Sequence, residues 1–118
     1  MTDATSTPEA VVNAYAKGTA TRDIALLKSL FHEDAVMTGY LGPDFLNGSP
    51  APFYGALEAN EVGSDYASET TSLVVTDKIA SAVTEEKNLL GLNFTNHFHL
   101  AQLGDGTWRI TSKLFRHA

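Results

Sequence analysis

Cysteine is absent from the 118 residues, which excludes a disulfide scaffold, a thiol nucleophile, iron–sulfur ligation and a cysteine-type zinc site. Basic residues are scarce: 8 Lys and Arg stand against 14 Asp and Glu, a formal charge of −6. No cluster of cations is present to meet nucleic acid or an anionic membrane, so neither partner is expected. No apolar run approaches the ~18 residues that a membrane-spanning helix requires. Met1 to Thr7 has no basic start and no apolar stretch, so a secretory signal is not expected and a cytoplasmic location is. Phosphate-loop, dinucleotide, serine-hydrolase and EF-hand motifs are also missing, and no cofactor is implied. What is there is a chain 43% hydrophobic and long enough for one domain, over 1–118, that buries its own core.

Helix signals crowd the first third. Thr7-Pro8 is a cap followed by a proline whose missing N–H would have lacked a partner anyway. Val11, Tyr15 and Gly18 then share a face, and the helix ends somewhere across Gly18 to Thr21. Thr21 or Asp23 caps a second short helix with Ile24, Leu27 and Phe31 as its apolar stripe. Ala35 to Leu41 alternates at period two, as a strand does, and Asp44 to Leu46 is a short strand or an extended link between two turn pairs. Ser49-Pro50 repeats the cap-and-proline logic and opens a third helix with Phe53 and Leu57 on one face. Four strands follow: Thr70 to Asp77, Lys78 to Asn88, Leu92 to Leu103 and Thr107 to Arg116. Helices first and sheet second means an α+β fold, with N-terminal helices packed on an antiparallel sheet.

The register of the last hairpin decides what faces inward, because a slip of one residue turns every side chain over. A three-residue turn, Gly104-Asp105-Gly106 with Gly106 left-handed, puts Leu92, Phe94, Phe98 and Leu100 on one face with Trp108, Ile110 and Leu114. A two-residue Asp105-Gly106 turn scrambles those faces, so the first is preferred. The opposite side then carries Thr95, His97, His99, Arg109, Thr111, Lys113 and Phe115, a mixed face suited to a wet dimer interface.

Several phrases, in this order, carry a resemblance: Phe31-His32-Glu33-Asp34-Ala35, Gly39-Tyr40, and Gly104-Asp105-Gly106-Thr107-Trp108-Arg109-Ile110 running into Lys113-Leu114-Phe115. Over nearly the whole chain they resemble the nuclear transport factor 2-like superfamily, in its SnoaL-like branch and the group called putative lumazine-binding proteins. The resemblance implies a cone: a strongly curved sheet wrapping a long helix, a pocket at the wide end, and a homodimer formed through the outer face. It does not choose a function, since the superfamily spans steroid isomerases, polyketide cyclases, dehydratases, epoxide hydrolases and non-catalytic transport or scaffold proteins.

Tyr15 resembles in position the donor tyrosine of the steroid isomerases, and is otherwise a core aromatic with a satisfied hydroxyl. The carboxylate base of those enzymes is missing, because Asp34-Ala35 is followed by Val36, Met37, Thr38, Gly39 and Tyr40. His32 is a candidate acid or base, or else a cap on the second helix. Asn96, inward among Phe94, Phe98 and Leu100, needs a partner or a ligand, since an unpaired buried amide costs ~1–3 kcal/mol. The resemblance implies that this position often holds a carboxylate. His97 and His99 project together, but no third ligand accompanies them and no metal is expected. With Arg109 and Lys113 they form the expected dimer surface. Tyr40, Phe53, Tyr54, Phe98 and Trp108, with Tyr15 and Asn96, are the candidate lining of a pocket. The leading reading is a small pocket protein binding an apolar or aromatic-ring metabolite without a recognisable catalytic set. Its rivals are an acid–base enzyme of the cyclase, isomerase or dehydratase kind, using His32 or Tyr15, and a non-catalytic protein-interaction module.

Overall fold

The computed structural model describes residues 4–117. The Thr7 hydroxyl accepts the Ala10 N–H at 3.0 Å and Pro8 follows, so helix α1 (Pro8–Thr21) starts as the cap predicts. Its end is a left-handed Arg22, φ 55°. Asp23, rather than Thr21, caps α2 (Ile24–Leu30) by accepting the Leu26 N–H at 3.1 Å; the Thr21 hydroxyl is turned back onto the Lys17 carbonyl. Phe31 does not belong to that helix. It is extended, buried, and begins β1 (Phe31–Leu41), four residues before the alternation becomes visible. β2 (Asp44–Gly48) returns along β1, and α3 (Ala51–Ala59) follows; its N-cap is Pro50 and not Ser49, although the Ser49 hydroxyl still accepts the Ala51 N–H. Arg22 ties the helices together. Its guanidinium donates to the Leu57 and Glu58 carbonyls at 2.7 and 3.0 Å, satisfying acceptors that the end of α3 leaves open.

The remaining strands are β3 (Ala67–Thr76), β4 (Ile79–Leu89), β5 (Leu92–Gln102) and β6 (Trp108–His117). They form one curved, unclosed sheet in the order β2-β1-β6-β5-β4-β3, with the helices packed against it. Every neighbouring pair is antiparallel except β1 with β6, which run parallel. This departs from the purely antiparallel expectation. The two strands lie far apart in sequence, and the intervening helices and strands supply the long connection that parallel pairing needs. Val11, Tyr15, Leu27, Leu30, Phe98, Leu100 and Ile110 fill the core between α1, α2 and the sheet. No helix among the described residues is long and apolar enough to cross a membrane.

The last hairpin has the preferred turn: Leu103 and Thr107 close the loop through Leu103 N–H to the Thr107 carbonyl at 2.8 Å, and Gly106 is left-handed, φ 86°. The pairing then slips within β6, because His99 pairs with Ser112 while Leu100 pairs with Ile110, leaving Thr111 as an extra residue. A bulge of this kind inverts the alternation beyond it. Trp108 and Ile110 face inward as expected, but Lys113 and Phe115 also face inward, both buried, and Leu114 is 53% exposed. Lys113 is therefore not a dimer-face residue, and Leu114 is not a core residue.

Candidate functional site

Beneath α3, between β2 and the β4–β5 turn, lies a cavity of about 370 Å³. Met37, Leu46, Phe53, Leu57, Phe94 and Phe115 give it a largely carbon wall. Among the described residues of that wall the one charged side chain is Lys113. Its ammonium sits over Phe53 at 4.4 Å, Tyr15 at 5.1 Å and Phe115 at 5.4 Å from the ring centres, where the π faces replace part of its lost hydration.

Lys113 leads into a chain of buried polar groups. Its Nζ donates to the Tyr15 hydroxyl at 2.6 Å, and that hydroxyl donates in turn to Glu86 Oε1 at 3.5 Å. Glu86 is buried at the inward side of β4, where Ala80, Ala82 and Thr84 precede it at period two. The Tyr66 hydroxyl donates to Oε2 at 2.5 Å, and Asn96 Nδ2 donates both to Oε1 and to Thr84 Oγ1, the latter at 3.1 Å. Three donors converge on one carboxylate, which leaves few of its acceptor positions unused. Asn96 thus points inward as the alternation predicts, and its Nδ2 is satisfied by side chains, while its Oδ1 is buried with no hydrogen-bond partner among the described residues.

Titration follows from burial. Desolvation draws Lys113 down from 10.5 to about 8, against the pull of Glu86, which raises it. Burial pushes the Tyr15 and Tyr66 hydroxyls well up, and the Glu86 charge beside them pushes further in the same direction. Lys113, Tyr15 and Glu86 form one hydrogen-bonded line, with Tyr15 as the bridge.

The candidate lining residues separate into four groups. Phe53 lines the cavity. Tyr15, Asn96 and Phe98 lie one layer behind it: Tyr15 stacks on Phe53 with ring centres 5.8 Å apart and meets Phe98 edge-on at 4.9 Å, and all three are fully buried. Tyr54 belongs to a second, more open hollow that it shares with Lys28, Phe31 and His32, and its partial burial pushes its hydroxyl up to about 12. Tyr40 and Trp108 are off the wall altogether. Tyr40 is half exposed and packs on Phe45 at the sheet edge, whereas Trp108 is core, its backbone N–H donating to the Thr5 carbonyl at 2.8 Å. His32 neither caps α2 nor reaches the cavity, because the strand has already begun and its Nδ1 accepts the Asp34 N–H at 3.0 Å. His32, Glu33 and Asp34 bring one possible metal-ligating atom each within 4.8 Å of one another, but both carboxylates are exposed and no fourth such residue joins them among the described residues. His97 and His99 are exposed on the convex side.

Glu86 and Tyr66 are the functional candidates that sequence reading missed, and Lys113 is the one it assigned to the outer face. The signal for Glu86 was present, as an acidic residue at an inward period-two position after Ala80, Ala82 and Thr84. None marked the bulge that turns Lys113 around.

A family model described as putative lumazine-binding matches residues 3–116. Among solved structures, a nuclear transport factor 2-like protein of unknown function from Methylobacillus flagellatus is 26% identical, covering 92% of this chain and 86% of that one at a TM-score of 0.83. A second such protein, from Shewanella baltica, is 18% identical at a TM-score of 0.83, covering 92% of this chain and 88% of its own. A ketosteroid isomerase-like protein from Erwinia carotovora atroseptica is 19% identical at a TM-score of 0.71, covering 99% of this chain and 98% of its own. No curated protein matches the chain.

Proposed function

The chain belongs to the putative lumazine-binding family, within the nuclear transport factor 2-like superfamily, and on that premise we propose that it binds a small, flat, largely apolar metabolite in the cavity beneath α3. The observation that carries this reading is a carbon-walled hollow of about 370 Å³ with one cation in its wall. Most of a ligand's affinity would come from burying its rings against Phe53, Phe94 and Phe115, and its orientation from an oxygen accepting a hydrogen bond from Lys113. The ammonium spends one N–H on Tyr15, so further donors are free to meet a ring carbonyl. A heterocyclic dione such as lumazine, which the family's name suggests, has that combination of a flat face and ring carbonyls.

The test is a melting-temperature screen of heterocycles and polyketide-like aromatics, because a ligand that binds only the native state raises its stability. Ala56 lies in the wall, and Ala56→Phe fills the hollow from α3. A hit should raise the melting temperature of the parent protein by several degrees and leave that of Ala56→Phe unchanged. Equal shifts in both proteins would put the binding elsewhere.

For assembly, we propose a homodimer through the convex face of the sheet, where His97, His99 and Arg109 lie. The corrected register brings Leu114 to this face, paired across from His97 and Thr38, with Val83 on the next strand. An apolar centre within a polar surround is what such interfaces have.

A further inference from the structure

We propose that Lys113 forms an imine with a small aromatic aldehyde or ketone held in the cavity. The inference rests on the pocket reading above and adds a covalent step to it. Lys113 differs from the other four lysines, since Lys17, Lys28, Lys78 and Lys87 are all exposed while Lys113 is 4% exposed and walled by three rings. A lysine desolvated in an apolar pocket is the form in which this side chain becomes a nucleophile at neutral pH.

The groups behind it complete the chemistry. An ammonium must shed a proton before it can attack, and the hydrogen bonds already run that way: Nζ to Tyr15, and Tyr15 to Glu86. Passing one proton along both bonds leaves a neutral amine and a neutral carboxyl, so no net charge stays buried. The amine lone pair then forms the C–N bond to the carbonyl carbon while the carbonyl π pair moves to oxygen. The nitrogen gives up a proton and the oxygen takes one, giving a carbinolamine. Glu86 returns its proton through Tyr15 to the carbinolamine hydroxyl, which leaves as water as the nitrogen lone pair forms C=N; the protonated imine carries the charge that the ammonium carried. One carbonyl compound and one lysine give one imine and one water, with no oxidation or reduction. The three rings around Nζ keep bulk water from it, which slows the reverse hydrolysis.

The experiment uses 2-naphthaldehyde with sodium cyanoborohydride, which reduces an imine to a stable secondary amine, and locates the adduct by peptide mass spectrometry. In parallel, 2-naphthalenemethanol, which cannot form an imine, reports occupancy of the cavity through the melting temperature. The expected result is a single adduct at Lys113, formed about tenfold faster than at any exposed lysine. Its rate should rise with pH and level off above about 8, where the amine has lost its proton. Tyr15→Phe should slow trapping while leaving the shift caused by the alcohol in place. Lys113→Met should lose the adduct and show a smaller shift with the alcohol, because the ring contacts remain while the hydrogen bond to its oxygen is gone, and peptide mapping of the parent protein assigns the site even if that variant does not fold. A shift with the alcohol but adducts only on exposed lysines would overturn the imine and spare the pocket. No shift and no adduct at Lys113 would overturn both.

Discussion

Glu86 is held by three donors, whereas Lys113 has one acceptor, the Tyr15 hydroxyl, so the two charges depend on each other unequally. Replacing Glu86 with Gln keeps the shape but removes the charge that supports the ammonium. The Lys113 pKa should then fall below about 8, as an NMR titration of the lysine side chain would record. Stability should respond to pH at the same residue. Below pH 8 the lysine is charged in both folded and unfolded chains, and its buried charge weighs against folding. Between pH 8 and 10.5 only the unfolded chain keeps the proton, so rising pH relieves that penalty. From pH 8 to 10 the parent protein should therefore gain on the order of 2 kcal/mol relative to Lys113→Met in denaturant titrations. Above pH 10 the buried tyrosines act oppositely, because Tyr15 and Tyr66 stay protonated in the fold after their unfolded counterparts ionise, but both proteins share that loss. Asn96 was legible from alternation alone. Glu86 was legible only to a reader willing to bury a carboxylate, and Lys113 was noticed but placed on the wrong face, because nothing local announces the bulge before it.

At the level of elements, caps and turns read clearly because each depends on a few adjacent residues. Thr7-Pro8, Asp23 and the Gly106 turn all behave as their local chemistry dictates. The bulge at Thr111 does not, since an extra residue in a strand answers to the curvature of the whole sheet and leaves no local composition behind. The β1–β6 pairing hid for a similar reason: parallel neighbours lie on either side of a long connection. It has a checkable consequence at Gly39. A Cβ there would fall 2.0 Å from the Phe115 carbonyl oxygen, on the strand whose side chain helps to wall the cavity. Gly39→Ala should cost about 1–3 kcal/mol in denaturant titrations and weaken ligand binding with it, as β6 is pushed away. A neutral outcome would mean that the two strands run farther apart. β2 is the opposite case, five exposed residues hydrogen-bonded to β1 alone, yet three of them wall the cavity. Its amides should exchange with solvent fastest among the strands, and slow markedly when the cavity is occupied.

For the whole molecule, the convex face can be tested apart from the hollow. Leu114→Glu places a charge at its apolar centre and should convert a dimer to a monomer in sedimentation experiments, with the cavity wall untouched. A parent protein that already sediments as a monomer would remove the proposed interface. The hollow has its own effect at this scale. A domain of 118 residues with a partly open, carbon-walled hollow of about 370 Å³ forgoes dispersion contacts that a packed core would have made. Whatever enters the space restores them. Vacant copies should therefore open more often than loaded ones and be cleaved sooner by an added protease. In a cell the steady amount of this polypeptide would then rise and fall with the supply of its guest, so that degradation itself keeps count of the metabolite.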